Sequence, residues 1–408
     1  MDRNSRFLLR SLRKYYKSCA PPMPHRFTRR EFGFMFFDRE MMQRHTSFGT
    51  QDELRRFLIS QVPRHSYYST AYYRRPGAPT MDEKEWLGAE LIFDLDADHL
   101  EGAGDMTYDG MMSRIRGEMV TLVDSFLMGD LGFREESIQI CFSGGRGYHA
   151  HVTQDDVLTL GTHERRELVD YITCSGMNID WIFPVDHRLV GSAVVAGQTR
   201  RNIAEIRRIP SEDSGGWRLR MRRGLMEVVE DVCTMEPAAL KRAYPSIKGS
   251  GNSSLLNLQG RLIPVRDSLF EKDDMSLLNK RDQELLVKIM KEDKSRMMAG
   301  EVDKPVTPDI KRLIRLPGSV HGKTGLRVST LTRDELGDYE PLTQAVPDVY
   351  TDEPVKVTMR RPYALRMKDE RFDLAAGETE VPEYAAIFLI GRGEADFGHA
   401  SEREELAR

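Results

Sequence analysis

The run Leu91-Ile92-Phe93-Asp94-Leu95-Asp96 leaves little freedom in what this chain can fold into. Side chains alternate along an extended strand, so Leu91, Phe93 and Leu95 share one face and Asp94 and Asp96 project from the other. The apolar face needs a core, which turns the strand into a rigid platform holding two carboxylates close together. Like charges so near one another repel unless a proton or a cation sits between them. Hard oxygen donors of this kind suit Mg²⁺ or Mn²⁺, which keep water and substrate phosphates as their remaining ligands. A plainer reading stays open: a strand end whose aspartates cap the turn into Asp98-His99.

A chain of 408 residues, 40% of them hydrophobic, can bury one large or two moderate cores. Its apolar runs, such as Phe34-Met35-Phe36-Phe37, fall far short of the roughly 18 residues that span a membrane, so a soluble chain with no membrane partner is expected. Near the start, Arg3, Arg6, Arg10, Arg13 and Lys14 interleave with Phe7, Leu8, Leu9 and Leu12, which reads as an amphipathic helix rather than a signal peptide. Cys19, Cys141, Cys174 and Cys233 form no C-x-x-C pair, which argues against a disulfide framework or a Cys-rich zinc site and fits a reducing cytoplasm. The net charge of -4 conceals an asymmetry, since residues 1–80 carry 16 Lys and Arg against 6 Asp and Glu, a local excess of +10. A basic segment in an acidic chain points to a polyanion partner; a solvated basic face with no ligand is the alternative.

No internal repeat or long low-complexity tract is present. Residues 1–18 and 50–60 read as helices, and Phe32–Phe37 and Glu90–Ala97 as strands. Between Tyr108 and Gly129 the positions Met111, Met112, Ile115, Met119, Leu122, Val123, Phe126 and Leu127 keep the 3.6-residue period of an amphipathic helix. Ser137–Val152 reads as a hairpin turned by Gly144-Gly145-Arg146-Gly147. The expected organisation is an α/β (α+β) core over residues 1–177 and 301–390, a mainly helical subdomain over 178–300, and a polar tail over 391–408.

Two further clusters carry chemistry. In Ser143-Gly144-Gly145-Arg146-Gly147-Tyr148-His149, glycines let backbone N–H groups approach an anion while Ser143, Arg146 and His149 add hydroxyl, guanidinium and imidazole groups. A plain glycine-rich turn with an exposed arginine remains the alternative, and the missing Gly-Lys-Ser/Thr ending disfavours a P-loop. The carboxylate of Asp303 then precedes Arg312, Arg315, His321 and Lys323 in a Pro/Gly loop, a concentration of phosphate-grade donors. Arg315 paired with a surface carboxylate, and His321 as a satisfied turn histidine, stay open.

In this order, the aspartate pair, the Ser143–His149 cluster and Arg315-Leu316-Pro317-Gly318-Ser319-Val320-His321-Gly322-Lys323-Thr324-Gly325 resemble the small, catalytic subunit of archaeal and eukaryotic DNA primases, and the third motif has an archaeal style. Arg30-Glu31-Phe32 also resembles a family element. The resemblance implies a primase-polymerase α/β fold in which Asp94, Asp96 and Asp303 bind two divalent metals, Mg²⁺ or Mn²⁺, Asp303 being assigned by its spacing ahead of His321. It implies that Ser143, Arg146, His149, Arg315 and His321 contact the triphosphate of an incoming nucleotide, with Glu31 and Arg44 near the nucleotide bound at initiation. The activity implied is primer synthesis from nucleoside triphosphates on a single-stranded DNA template, in a heterodimer with an iron–sulfur large subunit. Family members commonly carry a Cys/His zinc knuckle after the acidic pair; residues 97–136 hold His99 and no cysteine, so no structural zinc is expected there. Template DNA is expected across basic and aromatic surface such as Tyr67, Tyr68, Tyr72, Tyr73, Arg74 and Arg75. A gap-filling repair polymerase of the same superfamily and a non-catalytic nucleic-acid-binding subunit are the rival readings.

Overall fold

The strand expected around the aspartate pair forms over Leu91–Asp96 and lies at one edge of a four-stranded antiparallel sheet. That sheet runs in the order Ser329–Leu331, Ile138–Phe142, Gly147–Val152 and Leu91–Asp96. The computed structural model describes residues 1–97, 106–195 and 198–399. Leu91, Phe93 and Leu95 are buried while Asp94 and Asp96 stay half-buried, as period-2 alternation requires. The neighbouring strand sets the aspartates' surroundings, since Asp94 lies opposite His149 and Asp96 opposite Gly147. A Cβ at position 147 would stand 2.2 Å from the Leu95 carbonyl oxygen, so only glycine lets the two backbones close at this point.

A second four-stranded antiparallel sheet has the order Leu313–Arg315, His65–Ser69, Phe32–Met35 and Gln43–Thr46. Its core side holds Phe32, Phe34, Phe48 and Phe57, whose rings meet edge-on or tilted at 4.5–6.1 Å. The helix over Tyr108–Thr121 buries the periodic residues Met111, Met112, Ile115 and Met119, then continues in wider π geometry through Leu122–Asp130. His99, which enters the zinc argument, lies outside the described residues.

Two units are defined by their internal packing: the chain up to Val169 together with the chain from Glu301 onward, and Asp170–Gly300. The second packs helices Gly216–Thr234, Asn252–Leu262 and Lys280–Ile289 through Leu225, Val228, Leu258, Leu262 and Leu286. It also contains an antiparallel hairpin, Val185–Val195 with Gln198–Arg207, where the sequence reading expected mainly helix. The tail reading is corrected as well. Ala395–Phe397 forms a strand beside Pro354–Met359 in a three-stranded sheet, because Ala395 is buried and Phe397 stacks on Phe7 at 4.6 Å. Asn4 closes this join by bonding the Asp396 side chain and accepting from the Phe397 N–H, both at 2.8 Å. Residues 400–408 lie outside the described ones. Together the elements make an α/β protein of small antiparallel sheets.

The two larger sheets are tied by a buried ion pair. Arg30, which leads into strand Phe32–Met35, is paired with Glu90, which leads into strand Leu91–Asp96, and both are almost wholly buried. The Arg30 guanidinium also donates to the His25 and Ser69 carbonyls at 2.7 and 2.6 Å and lies over the Tyr68 and Tyr72 rings. Glu90 accepts from Tyr72 at 2.8 Å and pairs with His151 at 3.1 Å.

Burial alone would raise the Glu90 pKa, but the Arg30 charge and the His151 bond prevail and hold it at about 2 against an ordinary 4.5. A carboxylate depressed in this way stabilises the fold above pH 4.5 by about 3 kcal/mol, and the contribution is lost as pH falls from 4.5 towards 2. Glu90→Gln is therefore expected to cost about 3–5 kcal/mol at neutral pH, since Arg30 is left buried without a counter-ion. Urea denaturation across a pH series should find the gap to the parent closing below pH 4.5; a gap independent of pH contradicts the assignment.

Candidate active site

Between the two four-stranded sheets lies a cleft of about 600 Å³. The first sheet supplies Asp94 and Asp96 from one strand, His149 from its neighbour, and Ser143, Gly145, Arg146 and Gly147 from the turn that joins Ile138–Phe142 to that neighbour. The second supplies Tyr67 and Arg315, which sit opposite each other on paired strands. Arg64, Arg312, His321, Lys323 and Thr324 enter from loops, and Ile390, Gly391, Arg392 and Gly393 from the end of helix Glu383–Arg392. Seven of the ten residues assigned to metals and nucleotide thus meet here: Asp94, Asp96, Ser143, Arg146, His149, Arg315 and His321.

The wall is built for anions. Six cationic side chains, Arg64, Arg146, Arg312, Arg315, Lys323 and Arg392, face two carboxylates. Among the described residues, Arg64, Arg312, Arg315, Lys323 and Arg392 form no ion pair. Arg315 lies over the Tyr67 ring at 4.5 Å, and one of its terminal nitrogens is buried with no hydrogen-bond partner among the described residues. Burial lowers the Arg315 pKa from its ordinary 12.5, while Tyr67, Asp94 and Asp96 work the other way. A guanidinium held in this state gains most from an added oxyanion.

The histidines differ from the arginines. His149 Nε2 stands 3.4 Å from an Asp94 carboxylate oxygen, and its Nδ1 has no partner among the described residues. Burial, then the neighbouring His151, Arg315 and Arg312, keeps its imidazole neutral. His321 is held neutral by burial and by Arg315, His65, Lys323 and Arg64, and its ring packs 4.7 Å from that of His65. Both rings therefore act as neutral hydrogen-bonding groups, leaving the positive charge to the arginines and Lys323.

The glycine turn is braced from three sides. Ser143 Oγ accepts from the Gly145 and Gly147 N–H groups at 3.2 and 3.3 Å. Thr324 donates to the Gly144 carbonyl and Tyr108 to the Gly145 carbonyl, both at 2.5 Å. Two amides expected to cradle an anion are thus committed within the turn, and side chains carry most of the anion-binding capacity.

Asp303 does not line the cleft, but its N–H donates to the Asp94 carbonyl at 2.8 Å, which anchors this segment beside the aspartate strand. Among the described residues no group of three or more His, Cys, Asp or Glu side chains is gathered for a metal. The pair Asp94 and Asp96 fits Mg²⁺ or Mn²⁺ in the form that uses one or two carboxylates and completes its shell with water and substrate phosphates. Glu31 and Arg44 lie outside the cleft lining. Glu31 is fully buried, and its carboxylate is taken up by Arg44 at 3.1 and 3.2 Å, the His45 N–H at 3.0 Å and Lys84 at 2.5 Å; a buried carboxylate demands such partners. The aromatic patch expected for template is corrected too, because Tyr68, Tyr72 and Tyr73 are core residues and Arg74 and Arg75 pair with Glu85. Sequence reasoning missed Arg64 and Arg392, which carry no local signal beyond the turn-like Gly391-Arg392-Gly393.

Removing the Arg315 charge is expected to weaken binding of inorganic pyrophosphate about tenfold or more. Calorimetric titration of Arg315→Met against the parent checks this, and unchanged affinity removes Arg315 from the anion site.

The sequence matches the family described as DNA primase small subunit over residues 93–333, more than half of the chain. It is 39% identical to the DNA primase small subunit PriS of Methanococcoides burtonii, across 98% of this chain and 100% of that protein. The likeness to PriS of Methanothrix thermoacetophila is also 39%, over 97% and 100% of the two chains. Against PriS of Picrophilus torridus it is 37%, over 92% and 94%.

Proposed function

Because the chain belongs to the DNA primase small subunit family, whose members polymerise nucleotides, we propose that it synthesises short primers on single-stranded DNA from nucleoside triphosphates in the cleft between its two sheets. The observation that carries this reading is the convergence of Asp94 and Asp96 with five cations that lack ion pairs among the described residues, on one wall sized for a nucleotide.

In the reaction a 3′-hydroxyl attacks the α-phosphorus of an incoming nucleotide and pyrophosphate leaves. Asp94 and Asp96 would hold Mg²⁺ or Mn²⁺, with Asp303 beside them, and such ions supply activation of the hydroxyl and neutralisation of charge on the leaving oxygens. Arg146 and Arg315 offset the negative charge that builds on the departing pyrophosphate. His149 and His321, neutral in the free protein, hydrogen-bond phosphate oxygens without fixing them so tightly that product cannot leave. The stack of Arg315 on Tyr67 restrains the guanidinium before substrate arrives, so little ordering remains at the moment of reaction. Glu31 acts through structure in this reading, holding Arg44 of the neighbouring strand and the buried Lys84.

No helix among the described residues is long and apolar enough to cross a membrane. The relatives carry the name of a small subunit, and we assign this chain a large-subunit partner bearing an iron–sulfur cluster. Such a partner relieves the step at which two nucleotides must be set side by side with no primer anchoring either.

The test is synthesis of labelled oligonucleotides on unprimed single-stranded DNA with Mg²⁺ or Mn²⁺. The parent chain, with a large subunit added where needed, is expected to make them, and the double variant Asp94→Ala, Asp96→Ala to fall by a factor of 10³ or more, on the order expected when metal ligands are lost. Extension of supplied primers with no initiation under either condition favours gap filling instead. DNA binding with no metal-dependent synthesis by the parent favours a non-catalytic subunit.

A further inference from the structure

Helix Glu383–Arg392 is buried from Tyr384 through Ile390 and stops where Gly393 takes the left-handed conformation, φ 78°, with its N–H on the Ile390 carbonyl at 3.1 Å. Arg392 is thereby its last helical residue, placed on the cleft wall. Its guanidinium carbon lies 5.3 Å from the Tyr108 ring centre and 5.5 Å from that of Phe388. Tyr108 is in turn bonded to the Gly145 carbonyl, so the position of Arg392 is fixed relative to the glycine turn. The charge has no ion pair among the described residues, and its Nε is buried without a hydrogen-bond partner. The carboxylate nearest in sequence, Glu394, is bonded to Arg361 at 2.7 and 2.8 Å, and Arg392 lies close enough to add to the charges that lower its pKa.

The order of contacts along the hairpin gives this cation a direction. Asp94 faces His149, Asp96 faces Gly147, and the Ala97 N–H bonds the Arg146 carbonyl at 3.0 Å. Gly145 comes next, then Tyr108, then Arg392. The carboxylate pair thus meets the hairpin at Gly147 and His149, and Arg392 is tied to it through Tyr108 at Gly145. A polyphosphate whose reacting phosphorus lies at the carboxylates and whose chain follows the turn presents its outermost phosphate to Arg392.

We propose that Arg392 contacts the terminal phosphate of the bound nucleotide and makes the cleft select triphosphates over diphosphates. This rests on the reading of the cleft as a nucleoside triphosphate site, and it adds a specificity-determining residue outside the matched region 93–333. An arginine that only packs on Tyr108 and Phe388 would show no preference between nucleotides differing by one phosphate.

The test is calorimetric titration of the full chain with ATP and with ADP in the presence of Mg²⁺, for the parent, Arg392→Met and Arg392→Lys. The expected result is a loss of about tenfold in ATP affinity for Arg392→Met, the size of one charge-assisted contact, with ADP affinity unchanged and partial recovery of ATP affinity in Arg392→Lys. Equal weakening for both nucleotides, or none, overturns the proposal. Should Arg392→Met fail to fold, Arg392→Lys decides alone: a loss confined to ATP supports the contact, and any other pattern refutes it. Primer synthesis assayed beside the titrations separates this inference from the one beneath it. A parent that selects ATP through Arg392 yet makes no oligonucleotide keeps the terminal-phosphate contact and loses the enzymatic reading; a parent that makes oligonucleotides while its ATP to ADP ratio ignores Arg392 does the reverse.

Discussion

The buried pairing of Arg30 with Glu90 ties together the two larger sheets that wall the cleft. Each partner stands just ahead of the strand it positions, Arg30 before Phe32–Met35 and Glu90 before Leu91–Asp96. Two charges taken out of water are costly, and their attraction offsets that cost only when the remaining donors and acceptors find partners. Here the His25 and Ser69 carbonyls, Tyr72 and His151 supply them. A hydrophobic contact in the same place would tolerate sliding; a guanidinium with four directional partners does not.

With the sheets fixed, the cleft follows from where cations can be left without counter-ions. Elsewhere many carboxylates pair with arginines, as in Arg333 with Asp124 and Arg361 with Glu394. On the cleft wall five cations have no ion pair among the described residues, with Asp94 and Asp96 as the carboxylates lining the same cleft. Their mutual repulsion makes the empty site an unfavourable arrangement that a polyanion relieves. Neutral His149 and His321 keep that repulsion from rising further while still offering hydrogen bonds.

Elements set by local pattern were legible in the sequence. Alternation marked the Leu91–Asp96 strand and the Ile138–Val152 hairpin, and a 3.6-residue period marked the helix that begins at Tyr108. Seven of the cleft's residues were legible because three clusters each carried recognisable chemistry. What stayed hidden depends on pairing across long separations. Nothing local distinguishes Arg30, which closes a buried network with a residue 60 positions away, from the exposed arginines around it. Glu31 and Arg44 were placed near a nucleotide by resemblance alone, and their pairing with each other and with Lys84 is a long-range contact that no local pattern announces. The hairpin Val185–Arg207 was overlooked because its charged residues resemble a solvated helix, and Arg392 because Gly391-Arg392-Gly393 resembles the start of a tail.

The join between helix Arg3–Ser18 and strand Ala395–Phe397 sets a timetable for the chain's birth. At ribosomal rates of ~5–20 residues per second, the first helix waits roughly 20–80 seconds for the strand that receives Asn4 and Phe7. Throughout that interval Phe7, buried in the finished fold, lacks the Phe397 ring it stacks on, so the nascent chain leaves that apolar side chain uncovered. Arg392 arrives just before the same strand, so the last part of the cleft wall is made almost at the moment the two ends meet. A half-made chain therefore lacks Arg392 and the end of the cleft wall that it forms.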